Sequence, residues 1–131
     1  MMKKILICFA AGCLGGLINS LAVWAGGHLG IAGSLGVSIA PAFTPPWLYP
    51  RIVWGGIWGF VFLFPVLNSK AFAKGTLISL FPTLVQLFVV FPYKAHEGMA
   101  GLALGLLTPV FVLVYNWIWG VVTSVTIKFS R

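Results

Sequence analysis

Ser79, Thr83 and Gln86 stand at i, i+4 and i+7, which puts all three on one face of a helix. Their surroundings are almost wholly apolar, and a polar stripe in such a setting hydrogen-bonds a neighbouring helix or lines a narrow polar path. Asn19, Asn116 and Thr108 are further polar side chains inside apolar runs. With the stripe, Asn19 and Asn116 form the candidate path. None of these groups ionises, so proton coupling through the interior of a membrane has no carrier.

The remaining chemistry lies near the predicted ends of the apolar runs, at His28, Arg51, Lys94, His96 and Glu97. Two histidines and a carboxylate are the minimum for a catalytic zinc or iron. His96 and Glu97 are adjacent while His28 is remote in sequence, and no metal is expected. The sequence holds no aspartate, so a Ser-His-Asp set is excluded, as are paired carboxylates and a phosphate loop. Arg51, His28, His96 and Glu97 are therefore read as a surface ligand or headgroup site. In that reading Arg51 reaches up to lipid headgroups and Glu97 pairs with Arg51 or Lys94. No cofactor is implied. Cys8 and Cys13 have neither metal nor redox spacing and read as small packing residues.

The elements that must carry these residues are membrane helices. Of the 131 residues, 60% are hydrophobic and 7% charged, and the mean hydropathy is +1.07. Soluble domains carry roughly a quarter charged residues. An all-α integral membrane protein follows, expected as a single domain over 1–131, with four spans at about 5–25, 48–67, 76–91 and 99–127. Pro82 and Pro109 are expected to kink the third and fourth. Between the first two spans, Gly26, Gly30, Ser34 and Ser38 recur at every fourth position among apolar residues. This predicts a short glycine-rich helix over about 28–44, re-entrant or interfacial, because fifteen helical residues reach only about 22 Å against a hydrocarbon core of ~30 Å.

The eight basic residues face one acid, a formal charge of +7. The cations sit singly or in one pair at the ends of apolar runs, a pattern of membrane topology and not of nucleic-acid binding. Lys3, Lys4, Lys70, Lys74, Lys128 and Arg131 share one side, and Arg51 and Lys94 the other. Both termini are thus expected in the cytoplasm, in a bacterial inner membrane. Trp24, Trp47, Tyr49 and Tyr93 fall at the opposite, outer ends, where amphipathic rings settle.

Gly12 with Gly16, Gly55 with Gly59, and Gly101 with Gly105 are small-xxx-small pairs on three of the spans, the pattern that lets helix backbones approach closely in lipid. Abundant packing signal beside scarce ionisable chemistry makes a non-catalytic assembly or accessory subunit the leading expectation. Its partners would be the bilayer and further copies or a larger membrane complex. The alternatives are an oligomeric channel or facilitator for a small solute or anion and, last, a lipid-modifying enzyme acting at Arg51, His96 and Glu97.

Overall fold

The computed structural model describes residues 2–65, 69–94, 96 and 98–130, and it is helical, with no strand among the described residues. Three helices are long and apolar enough to cross a membrane. They are α1 (Met2–His28), the continuous helix Ala71–Lys94, and α5 (Thr108–Phe129). Such lengths match the ~20 apolar residues that a bilayer core requires, consistent with an integral membrane protein. Within Ala71–Lys94, α4 (Ala71–Val85) passes into a π-helix over Gln86–Lys94.

The shorter helices differ from the sequence expectation in instructive ways. Only one turn, α2 (Ile31–Ser34), is helical in the glycine-rich segment. Gly30 and Gly36 adopt left-handed backbone, φ 80° and 77°, so α1 stops at His28 and the chain leaves α2 extended. Gly26, Gly30, Ser34 and Ser38 consequently do not share one helical face. α3 (Pro45–Gly59) starts on its two prolines, whose fixed φ suits a first turn, and tightens into a 3₁₀ helix over Phe60–Leu63. The end of the expected 48–67 span, Val66 and Leu67, lies outside the described residues.

The last expected span, 99–127, is two elements. Met99–Leu104 is a 3₁₀ turn broken by left-handed Ala100 and Gly101, and Gly105 (φ 146°) separates it from α5. Pro109 therefore does not kink a span. It occupies the first turn of α5, where its missing N–H costs nothing. Pro82 does sit inside α4, and the helix continues through it to the wider π turns at Gln86.

α1 and α5 pack at the centre, α3 lies against α1, and α4 lies against α5, while α3 and α4 hardly touch. Glycines set the tightest contacts. A Cβ at Gly55 would stand 2.7 Å from the Gly12 carbonyl oxygen and 3.0 Å from the Gly16 Cα, and one at Gly75 would stand 2.6 Å from the Gly120 oxygen. In both seams backbone meets backbone with no room for a side chain. Below the α1–α3 seam, Cys8, Phe62, Ile78 and Trp119 form a small core, with the Phe62 and Trp119 rings edge to face at 5.8 Å. Lys74 is buried here, and its Nζ donates to the carbonyl oxygens of Phe62 (2.9 Å) and Phe64 (3.0 Å). It thereby caps the end of the α3 helix and its 3₁₀ extension, whose last carbonyls lack intrahelical partners.

At the other end the two irregular connections are pinned to each other. The Ser38 N–H donates to the Leu104 oxygen at 2.8 Å, and Val37 is buried. A side chain at Gly105 would collide with the Gly36 oxygen, so the two loops meet backbone to backbone. Together they roof the bundle.

Candidate functional site

Four polar residues from four different helices converge under this roof. Asn19 lies nine residues before the end of α1, Arg51 six residues into α3, Gln86 eight residues before Lys94, and Asn116 eight residues into α5. At ~1.5 Å per helical residue each is on the order of 10 Å below the roofed end. Depth is thus matched across the bundle, and a polar layer forms.

Arg51 is the centre of the layer. Its Nε donates to Ser20 Oγ at 2.9 Å, one Nη2 hydrogen goes to Asn19 Oδ1 at 2.7 Å, and the guanidinium carbon lies 4.8 Å from the Trp47 ring centroid. Asn19 is held in turn, its Nδ2 donating to the Tyr115 carbonyl oxygen at 2.5 Å. Ser20 Oγ donates to the Gly16 oxygen at 2.7 Å, which leaves its lone pairs for Arg51. A chain of oriented groups running from α5 through α1 to α3 therefore fixes the guanidinium. Arginine carries five N–H donors, and the three not used here meet no acceptor among the described residues. The only acidic residue of the sequence, Glu97, lies outside the described residues.

Two cavities flank the layer, and Arg51, Asn19, Gln86 and Asn116 line both. The first, of about 400 Å³, is roofed by residues 38–41 and Leu104 and walled by Trp47 and Tyr115. The second, of about 390 Å³, is a groove between the separated α3 and α4, with Gly16 and Trp119 on its floor. Along its far wall every fourth residue faces in: Pro82, Gln86, Val90 and Lys94. A regular α-helix drifts about 40° at each such step. The wider i to i+5 turns from Gln86 onward compensate, so the π segment keeps one face aimed at the groove.

The sequence-predicted residues separate into those inside this layer and those outside it. Asn116 Nδ2 donates to Gln86 Oε1 (3.3 Å) and to Thr83 Oγ1 (3.1 Å). The hydroxyls of Thr83 and Ser79 turn back to carbonyls of their own helix, those of Ser79 and Thr76, and neither residue lines these two cavities. The stripe is thus a packing face at Ser79 and Thr83 and reaches the cavities only at Gln86. His28 is exposed and stacks on Trp24 at 5.0 Å, and His96 is exposed with φ 55°. Neither lines a cavity with Arg51. Arg51 turns inward between helices and is not a snorkelling side chain. Ser20 and Trp47, which no polar periodicity singles out, complete its setting.

Gly12, Gly16, Gly55 and Gly59 face one another across α1 and α3. Gly26 backs the Tyr115 hydroxyl, Gly101 faces the Phe91 ring, and Ser34 Oγ bonds the Ile31 oxygen within its own turn. Gly30 has open space around it. Thr108 Oγ1 is buried with no hydrogen-bond partner among the described residues, at the start of α5 and away from both cavities. No group of three or more His, Cys, Asp or Glu that would hold a metal occurs among the described residues.

The chain matches no known family model, no curated protein and no solved structure.

Proposed function

We propose that this protein recognises an anionic group inside the membrane, as the binding step of a channel or facilitator. The observation that carries this reading is Arg51: one positive charge, oriented by Ser20 and Asn19, that lines two cavities and has no carboxylate partner among the described residues. An unpaired intramembrane charge is costly and is kept where it serves a ligand or ion. A guanidinium offers parallel donors that match the oxygens of a carboxylate or phosphate. Gln86 and Asn116 add neutral donors and acceptors on the facing side of both cavities.

The reading places four spans in the bilayer. The 15 residues of α3 and the 4 of its 3₁₀ extension reach about 30 Å together, the thickness of the hydrocarbon core. The cation count then puts both termini in the cytoplasm, with the roof and the polar layer toward the outer face of a bacterial inner membrane. The segment 29–44 acts in it as a lid over the first cavity and not as a re-entrant helix. An accessory-subunit role loses its main motive, because the glycine faces that favoured it are used between helices of the same chain. A lipid-modifying enzyme is not the reading favoured, because neither His28 nor His96 lines a cavity with Arg51.

The test is thermal unfolding of the purified full chain in mild detergent with added sn-glycerol 3-phosphate, against sodium chloride at equal ionic strength. A ligand tenfold above its Kd stabilises by about 1.4 kcal/mol. We expect the rise in Tm for the native chain, a smaller rise for Arg51→Lys and none for Arg51→Gln. An equal rise in Arg51→Gln would overturn the proposal.

A further inference from the structure

We infer that the molecule carrying the anionic group is an anionic phospholipid, which enters sideways from the bilayer through the groove between α3 and α4. The inference rests on the reading of Arg51 as an anion anchor and names what brings the anion there. Its starting point is the asymmetry of the two cavities. The first is bordered by the connecting segments at residues 38–41 and Leu104, whereas the second lies between two helices that hardly touch and is lined largely by apolar side chains.

The groove is amphipathic along its length. Its polar layer holds Arg51, Asn19, Gln86 and Asn116, and the exposed Lys94 ends the same wall on the order of 10 Å nearer the outer face. Its apolar part, on the inner side of that layer, is walled by Trp54 and Trp58 on α3 and by Pro82 and Val85 on the facing helix. Trp54 is 56% exposed and Val85 36%, so in a bilayer these walls meet acyl chains and not water. A free solute gains nothing from such walls. A lipid gains twice: its phosphate accepts parallel N–H donors from Arg51, and one acyl chain lies along the tryptophans.

Charge selects among lipids. Arg51 has no described carboxylate beside it and Lys94 adds a second cation, so a headgroup of net negative charge is favoured over a zwitterionic one. Geometry supplies the opening. Pro82 and the π turns beyond Gln86 keep the wall facing the groove over its whole length, while α3 follows α1 through the glycine seam and leaves α4 to α5.

Native mass spectrometry of the full chain, released from detergent with equal amounts of phosphatidylglycerol and phosphatidylcholine, tests this. We expect phosphatidylglycerol to be retained preferentially. Arg51→Gln should lower that retention about tenfold, the loss of one charge-assisted contact. Trp54→Ala should lower it several-fold, and Leu84→Ala, exposed on the same helix pair but outside the groove, should not change it. Equal retention of the two lipids, or equal retention by native and Arg51→Gln chains, would mean only annular lipid and would overturn the inference. So would displacement of the lipid by an equal concentration of sn-glycerol 3-phosphate, since the acyl groove would then add nothing. That last result would leave anion recognition at Arg51 intact, whereas a Tm response unaffected by Arg51→Gln would remove both. Should Arg51→Gln fail to fold, Trp54→Ala and Arg51→Lys decide the matter.

Discussion

From Gly12, Gly55 and Gly59 up to Gly16 against the Arg51 carbonyl the backbones of α1 and α3 are in contact, whereas the side chains of Asn19, about one turn further along α1, and of Arg51 line two cavities. One helix pair therefore builds both a dry seam and a polar site. The seam needs residues without side chains, because close approach in lipid gains dispersion and weak hydrogen bonds in place of a hydrophobic driving force. The site needs the reverse: side chains long enough to reach across a gap, and a second pair, α4 and α5, standing off far enough to leave it. The α4–α5 contact repeats the scheme, with Gly75 against Gly120 in its closed part and Gln86 against Asn116 in its open part. The separation of α3 from α4, each held by glycine to a different central helix, decides where chemistry is placed.

The comparison breaks most directly at Gly55. A Cβ there would lie 2.7 Å from the Gly12 oxygen, and backbone on both sides leaves nothing soft to move. Gly55→Leu should cost about 3 kcal/mol or more and in practice abolish a monodisperse folded peak, with Gly55→Ala costing roughly 1–3 kcal/mol. Thermal unfolding and size-exclusion in detergent measure both. If Gly55→Ala unfolds at the native temperature, the seam is not what holds α3 in place.

Lys74 sharpens the closed end. Its Nζ bridges the carbonyls of Phe62 and Phe64 while its stem packs in the core, so Lys74→Met preserves volume and removes the donors. A loss of about 2 kcal/mol is expected for the carbonyls left unsatisfied, with Arg51-dependent anion binding unchanged. A Met variant as stable as the native chain would reduce this lysine to a topology signal, which is all that its sequence position implies.

That gap marks how far the sequence could be read. Hydropathy alone identifies α1, the Ala71–Lys94 helix and α5, because spanning a membrane requires only length and apolarity. The polar layer is partly legible: Asn19, Gln86 and Asn116 are conspicuous as polar side chains in apolar runs. The inward setting of Arg51 is not legible, because its holders, Ser20 and Asn19, are 31 and 32 residues away, and nothing local reports their approach. The start of α5 is missed: unbroken hydropathy across 99–127 conceals the Gly105 turn, and Pro109 reads as a kink inside a span when it stands in a first turn. The glycine stripe at 26–38 misleads for a related reason. Periodicity presumes one conformation throughout, and glycine is the residue least bound to keep it.

The smallest effect separates the two uses of glycine in the roof. Gly33 and Gly36 both have open space where a Cβ would go, but only Gly36 has a left-handed backbone, φ 77°. Gly33→Ala, in the single turn of α2, removes freedom from the unfolded chain at no steric cost and should stabilise by up to ~1 kcal/mol. Gly36→Ala meets equally little, yet forces an L side chain into a conformation that costs roughly 1–2 kcal/mol. Opposite shifts in Tm would separate conformational need from close packing, the two pressures that the seam and the roof place on the same residue type. Equal shifts would mean that the roof is held by side-chain contacts such as Val37 and not by the turn at Gly36.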